Sequence, residues 1–316
     1  MRALICGVSG QDGAYLSNLL LKKGYQVCGT SRDAQMSSFA NLQALGIKDQ
    51  IKLISMAPND FHSVITALKH SDPDEVYFLS GQSSVGLSFE QPVETIESIT
   101  LSTLNLLEAI RYLDKPIKFY HASSSECFGD IGVVPARESM PFHPRNPYGI
   151  AKASAHWLVA NHRETYGLFA CNGILFNHES PLRPSRFVTR KIVSAACRIA
   201  NGSKEKLQLG RLDIVRDWGW APEFVDAMWR MLQHDKADDF IIATGEANKL
   251  EDFVACAFDT LGLDWKDHVT VDSTLFRPTD VSWSQGCSDK AAEKLGWRAS
   301  SRMADVIRMM IKSECR

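Results

Sequence analysis

The sequence lacks most of the features that would class a chain at a glance. Its 316 residues contain no uninterrupted apolar run approaching the ~20 residues of a membrane-crossing helix. Lysine and arginine number 35 against 37 aspartates and glutamates, a formal charge of -2 with a pI near 6.5. That balance removes the electrostatic case for nucleic acid or an anionic membrane as the main partner. Any basic residues that bind a phosphate must act locally, inside a pocket. The eight cysteines form no CxxC pair and no zinc-like spacing with histidine, so no metal is expected. Cys6, Cys28 and Cys171 lie in apolar runs and read as small buried hydrophobes in a reducing compartment. The opening residues, Met1-Arg2-Ala3-Leu4-Ile5-Cys6, run straight into a glycine turn and leave no room for a signal-peptide core. There is no internal repeat, no low-complexity segment and no linker that would free a separate domain. The expectation is a soluble, cytoplasmic protein, with 45% hydrophobic content enough for one large domain or a domain plus a smaller lobe.

Through the first half, short apolar runs alternate with helical periodicity. Residues 3–8, 25–30, 51–54, 75–79, 117–121 and 169–176 read as strands, and 12–23, 60–69, 93–113 and 147–166 as helices. This alternation predicts an α/β protein with a Rossmann-like, doubly wound parallel sheet covered on both faces. The second half is less regular, with helices expected near 187–201, 222–233, 250–261 and 303–313. The expected division is 1–176 for the dinucleotide-binding domain and 177–316 for a smaller carboxyl-terminal lobe, some of whose segments return to the sheet. That lobe should close over the carboxyl ends of the strands, where open α/β sheets bind ligands.

Gly7-Val8-Ser9-Gly10-Gln11-Asp12-Gly13 follows a strand and opens a helix. Glycines there let backbone approach a pyrophosphate, whose charge then sits at the positive helix end. The GxxGxxG spacing points to the short-chain dehydrogenase branch. An NAD site needs a carboxylate at the end of the second strand, where NADP uses cations. Ser31 holds that position with Arg32 beside it, which favours NADP, while the adjacent Asp33 leaves NAD open.

Tyr148 and Lys152 stand four apart, on one face of a helix. Free tyrosine loses its proton near pH 10, and an ammonium one turn away beside an oxidised nicotinamide favours the phenolate. Ser124, upstream at a strand end, can fix the substrate hydroxyl or the phenol. Glu126 lies two residues further on, where alternate side chains can face one site. A second acid–base group is superfluous for simple alcohol oxidation. It is needed if a C–H beside the new ketone must be deprotonated and a hydroxyl expelled. Downstream, Arg183, Lys191, Arg216 and Arg277 each lie beside a turn, and cations converging there would suit a nucleotide diphosphate.

With these residues the chain resembles, nearly end to end, the GDP-mannose 4,6-dehydratases, a group of extended short-chain dehydrogenase/reductases. The most specific stretches are residues 7–13, 119–129, 144–152, 173–181, 216–219 and 276–279. The resemblance implies a tightly held NADP, and dimers through paired helices that often join into tetramers. It assigns Ser124 (the group usually has threonine), Glu126, Tyr148 and Lys152 to catalysis. It assigns Leu79, Gln82, Ser83, His178 and Arg183 to the cofactor, alongside the glycine turn with Ser9, Gln11 and Asp12. It assigns Asn177, Val188, Lys191, Arg216 and Arg277 to a GDP-sugar. Arg32-Asp33 stands where the group has paired arginines, Ala57-Pro58 where it has an adenine-contacting Asp-Leu, and Trp220 and Pro222 also depart from its pattern. These departures suit a divergent subgroup acting on a related GDP-sugar, such as a heptose.

The implied cycle oxidises C4, eliminates water across C5 and C6 with Glu126, and returns the hydride to C6, giving a 4-keto-6-deoxy sugar. A nucleotide-sugar epimerase would keep Ser, Tyr and Lys without the elimination acid. A 4-keto reductase would consume reductant stoichiometrically. A non-catalytic scaffold of this fold would typically have lost Tyr148 or Lys152.

Overall fold

The computed structural model describes residues 1–315; Arg316, the last residue of the expected lobe, lies outside them. Apolar runs of four to seven residues form the strands β1 (Arg2–Cys6), β2 (Gln26–Ser31), β3 (Lys52–Ser55), β4 (Glu75–Phe78), β5 (Lys118–Ser124) and β6 (Ala170–Leu175). Beyond them come β7 (Asn177–Glu179), β8 (Leu207–Leu209), β9 (Val215–Arg216), β10 (Trp218–Trp220), β11 (Asp239–Ile242), β12 (Asn248–Lys249) and β13 (Val269–Val271). The central sheet has seven strands in the order β11-β6-β5-β4-β1-β2-β3. Every neighbouring pair in it is parallel. Six of those strands coincide with the expected runs; the seventh, β11, comes from beyond residue 176. The chain leaves β1 towards β2 and β3 and returns on the other side of β1 as β4. That topological switch opens a crevice at the carboxyl ends of β1 and β4.

The helices are α1 (Gln11–Lys22), α2 (Ala40–Ala44), α3 (Phe61–Ser71), α4 (Val85–Glu90), α5 (Pro92–Ile96), α6 (Ser102–Leu113) and α7 (Pro147–Tyr166) in the first part. They continue as α8 (Val188–Ala200), α9 (Ala221–Gln233), α10 (Leu250–Asp259), α11 (Asp289–Leu295) and α12 (Met303–Glu314). One face of the sheet packs Ile5, Tyr77 and Tyr120 against Leu16 and Leu20 of α1 and Phe224, Met228 and Met231 of α9. The other packs Leu4, Cys6 and Phe119 against α3, α6 and α7. A second core of Ile192, Phe253, Phe258 and Ile307 joins α8, α10 and α12 beneath β8 and β13.

The expected helix 93–113 is not continuous. α5 and α6 are joined by a π-helical turn, Glu97–Leu101, where the Ser102 hydroxyl donates to the Glu97 carbonyl at 3.0 Å. Such insertions widen a helix locally and recur near functional sites. This one aims Ser98 at the loop after β4, where its hydroxyl accepts from the Gln82 N–H at 3.2 Å.

Cys6, Cys28 and Cys171 are buried, and burial pushes their thiols up to about 12, 11 and 12. Cys197 on α8 and Cys315 after α12 are joined as a disulfide, 118 residues apart in sequence, a pairing that scattered spacing gave no reason to expect. No helix among the described residues is long and apolar enough to cross a membrane, and none of their His, Cys, Asp or Glu side chains cluster as metal ligands.

Candidate active site

Helix α7 is positioned by its own sequence signals. Asn146 caps it, its side-chain carbonyl accepting from the Gly149 N–H at 2.8 Å, Pro147 occupies the first turn, and Gly167 ends it in a left-handed conformation. Gly149 matters for a second reason: a Cβ there would sit 2.7 Å from the Glu126 carbonyl oxygen. Only glycine lets α7 approach the turn after β5 so closely. The same Asn146 donates from Nδ2 to Glu126 Oε2 at 2.8 Å. One side chain therefore starts the helix that carries Tyr148 and Lys152 and holds the carboxylate of Glu126. Asn146 was not singled out from the sequence, although Asn-Pro before a helical run is a capping signal.

Ser124, at the end of β5, accepts from the Glu126 N–H at 3.2 Å and lies close enough to the Tyr148 phenol to lower its pKa. Lys152 is buried; its Nζ lies 5.8 Å from the Tyr148 ring centre and donates to the Ala122 carbonyl at 2.7 Å. Burial raises the Tyr148 phenol above the ordinary tyrosine range, with Ser124 pulling the other way. Burial lowers Lys152 to about 8, so it is still mainly an ammonium at neutral pH. Desolvation therefore favours the neutral phenol, and Arg183 acts with Ser124 against it. The four residues picked as catalytic are together: Ser124 and Lys152 are buried, Glu126 and Tyr148 only partly so.

The crevice at the switch point is a cleft of about 600 Å³. Gly7, Ser9, Gly10, Gln11, Asp12, Gly13, Arg32, Leu79, Gln82, Ser83 and Arg183 all line it. Its floor is a cradle that side chains would fill. A Cβ on Gly13 would lie 2.4 Å from the Gly7 carbonyl oxygen, and one on Gly7 (φ +87°) would lie 3.0 Å from the backbone after β4. α1 starts at Gly10 without a side-chain cap, leaving its first N–H groups for a ligand in the cleft. Arg32 is extended and exposed, 3.9 Å from Glu94. Asp33 is not among the lining residues. Its carboxylate accepts from the N–H groups of Gln35 and Met36, each at 3.0 Å, and is committed to its own loop. Arg183 bridges to Glu179 at 3.2 Å and stacks on Phe187, 3.8 Å from the ring centre. His178 does not line the cleft: its ring is buried and engaged on both nitrogens.

On the lobe side, Arg216 is buried and pairs with Asp280 at 2.9 Å, and Arg277 reaches the same carboxylate at 3.6 Å. Asp280 thus draws two of the expected cations together, and the field of Glu126 also reaches Arg216. Next to Arg216, the buried Asp217 accepts from Thr244 and Gly245 and fixes that strand to the following loop; burial pushes its carboxyl up to about 6. Asn177 opens β7, opposite Trp218, and Val188 opens α8. Lys191 is exposed and donates to the Gln208 carbonyl at 2.6 Å, apart from the two arginines.

A sequence model of the family described as GDP-mannose 4,6 dehydratase matches residues 4–310. GDP-mannose 4,6 dehydratase 1 of Arabidopsis thaliana is 44% identical over 322 residues, covering 99% of this chain and 89% of that one. Among solved structures, the fold matches dTDP-glucose 4,6-dehydratase from Bacillus anthracis in complex with NAD (TM-score 0.86, 17% identity, 99% and 96% of the two chains). It also matches RMD from Pseudomonas aeruginosa complexed with NADPH (TM-score 0.81, 22% identity, 99% and 97%). On the sequence match over nearly its full length, the chain belongs to the GDP-mannose 4,6-dehydratase family.

Proposed function

We propose that the protein is a hydro-lyase that converts GDP-mannose, or a close GDP-sugar such as a heptose, to the 4-keto-6-deoxy sugar without net consumption of cofactor. The observation that carries this reading is Glu126, held by Asn146 beside an intact Ser124/Tyr148/Lys152 set. Tyr148 takes the proton of the C4 hydroxyl, with Ser124 sharing the hydrogen bond. The 4-keto group so formed acidifies C5–H. Glu126 removes that proton and delivers it to the C6 hydroxyl, which leaves as water. A nicotinamide dinucleotide bound in the cleft would supply the hydride acceptor for C4, the positive charge that favours the Tyr148 phenolate, and the hydride returned to C6. Tyr148 then gives the proton it took from the C4 hydroxyl to C5, which closes the cycle. Arg216 and Arg277, on Asp280, are suited to a diphosphate entering from the lobe. Incubated with the purified protein, GDP-mannose, or GDP-heptose in a parallel reaction, is expected to give a product lighter by one water. An epimerised product of unchanged mass, or turnover only with added reductant, would favour the epimerase or reductase instead.

The cradle fits the pyrophosphate of either dinucleotide, and the second-strand loop supports NADP. Asp33 has its carboxylate bound within its own turn, so it is not poised for a ribose 2′-hydroxyl, whereas Arg32 is extended at the cleft edge. NADPH is expected to bind at least about tenfold tighter than NADH, the worth of one charged contact to the 2′-phosphate. Titration of apo-protein with both measures it, and Arg32→Ala should erase the difference. Equal affinities, or NADH affinity lost on Asp33→Ala, would contradict the assignment.

The protein's expected homodimer or homotetramer finds support in an exposed apolar strip. Val93 (69% exposed), Ile96 (37%) and Leu101 (40%) project near Ile150 (47%) and Trp157 (61%) of the adjoining α7. Such patches mark protein–protein surfaces, and pairing these helices between two copies would cover this one.

A further inference from the structure

His178 is buried on β7, and its ring is fixed from both ends. Nδ1 lies 2.8 Å from the Phe176 carbonyl oxygen and Nε2 lies 2.9 Å from Asp12 Oδ2. The carbonyl accepts, and so does Asp12 when it is ionised; with Asp12 as a carboxylate both ring nitrogens carry a proton and the ring is an imidazolium. Asp12 stands in the first turn of α1 and lines the cleft. A bare carboxylate there would repel the phosphates that the helix terminus otherwise attracts. Gln11 reinforces the link, donating to Asp12 Oδ1 at 3.0 Å and to the His178 carbonyl at 3.2 Å, while its own carbonyl accepts from Ser180 at 2.7 Å.

A face of the ring packs on α9, the helix that covers the central sheet beside α1. His178 stacks on Phe224 of α9, centroids 4.6 Å apart and planes inclined by 20°. It sits opposite Gly219 in the pairing of β7 with β10, and a Cβ on Gly219 would come within 2.3 Å of the Phe224 ring. β10 follows Arg216 and Asp217 directly in the chain. The ring therefore touches the cofactor cradle, while its strand pairs with β10, which follows Arg216 in the chain.

We propose that His178 is a positioning residue: its imidazolium neutralises Asp12 at the mouth of the dinucleotide cradle and ties that cradle to the β7–β10 pair. This rests on the cleft's taking a dinucleotide, and the pyrophosphate common to NADPH and NADH makes it independent of which of them is used.

The charged and titratable groups around the pair are few. Arg183, from the loop after β7, disfavours the imidazolium and favours the carboxylate. Tyr120 faces Asp12 from β5, and Tyr15 of α1 is bonded to Ser180. Burial works against the imidazolium, but Asp12 outweighs it and holds His178 above the ordinary imidazole value; Asp12 is correspondingly held below the usual carboxylate range. The neutralisation is therefore complete below the ordinary imidazole value and is lost as pH rises through the raised one. Dinucleotide affinity should fall over that rise.

The test is fluorescence titration of apo-protein with NADPH and with NADH from about pH 6 to about pH 9, spanning the imidazole range. Lys152, near 8, adds its own step; Asp12 holds that step up, so His178→Gln retains it and the Asp12→Asn variants move it downward. His178→Gln, which keeps a donor for Asp12 but no charge, should weaken both dinucleotides about tenfold and remove the histidine step. Adding Asp12→Asn should restore most of that affinity. If His178→Gln fails to fold, Asp12→Asn alone carries the test, because it should abolish the histidine step in the pH dependence of binding, whatever it does to affinity at a single pH. Unchanged affinity in His178→Gln, no recovery in the double variant, or a wild-type pH profile in Asp12→Asn would overturn the proposal. A loss confined to NADPH would belong to Arg32 instead.

Discussion

Tyr148→Phe is expected to abolish turnover, with no reduced nicotinamide formed even in a single turnover with enzyme in excess. The substitution removes one oxygen from a side chain whose ring stays packed against Ile99, Ala151 and Ala155, so the fold should survive. What disappears is the phenol that the proposed cycle uses to take the C4 hydroxyl proton. Lys152 cannot substitute, because its ammonium is turned to the Ala122 carbonyl, and Ser124 is too weak an acid–base group. Losing general-base help typically costs about 10²–10⁴ in rate, and here it falls on the step that starts the cycle. Dinucleotide affinity should change little. A variant that still forms reduced cofactor at an appreciable rate would remove Tyr148 from the role assigned to it.

Glu126→Gln should stop the cycle at a different place. The amide keeps the size of the side chain and can still accept from Asn146, whose Nδ2 lies 2.8 Å from Glu126 Oε2 in the native protein. It cannot take up a proton from C5 or give one to the C6 oxygen. Oxidation at C4 should proceed, and elimination should slow by about 10²–10⁴. Reduced cofactor and 4-keto sugar should then accumulate on the enzyme, visible as a lasting rise in reduced-nicotinamide absorbance. Wild-type dehydration by Glu126→Gln would make the glutamate a loop charge and return the epimerase reading to the front.

Much of this site was legible in the sequence because it is local. α7 has the bounds 147–166 that its cap, proline and terminal glycine dictate, and Tyr148 and Lys152 share a face by periodicity alone. The glycine turn is legible for the same reason, since positive φ and close backbone approach demand glycine there. What the sequence hid depends on partners far along the chain. β11 is a four-residue apolar segment that becomes a strand only by pairing with β6. The π-helical turn at Glu97–Leu101 interrupts a pattern that reads as one helix, and it is stabilised by side-chain bonds to backbone. Asp280 gathers Arg216 and Arg277 from 64 and 3 residues away, and nothing in its local context marks it. The turn in which Asp33 Oδ1 accepts from the N–H groups of Gln35 and Met36 is a local arrangement that the sequence pattern did not mark. His178 followed the family pattern as a cofactor contact, while its ring is spent on Asp12 and Phe176.

The central claim is that one hydride leaves C4 of the sugar and returns to C6 of the same molecule, with water lost in between. GDP-mannose carrying deuterium at C4 tests it directly, with wild-type enzyme and no added reductant. The product should be one water lighter than the labelled substrate, retain the deuterium, and carry it at C6. Deuterium still at C4, deuterium lost to solvent, or a product that has lost no water would contradict the account.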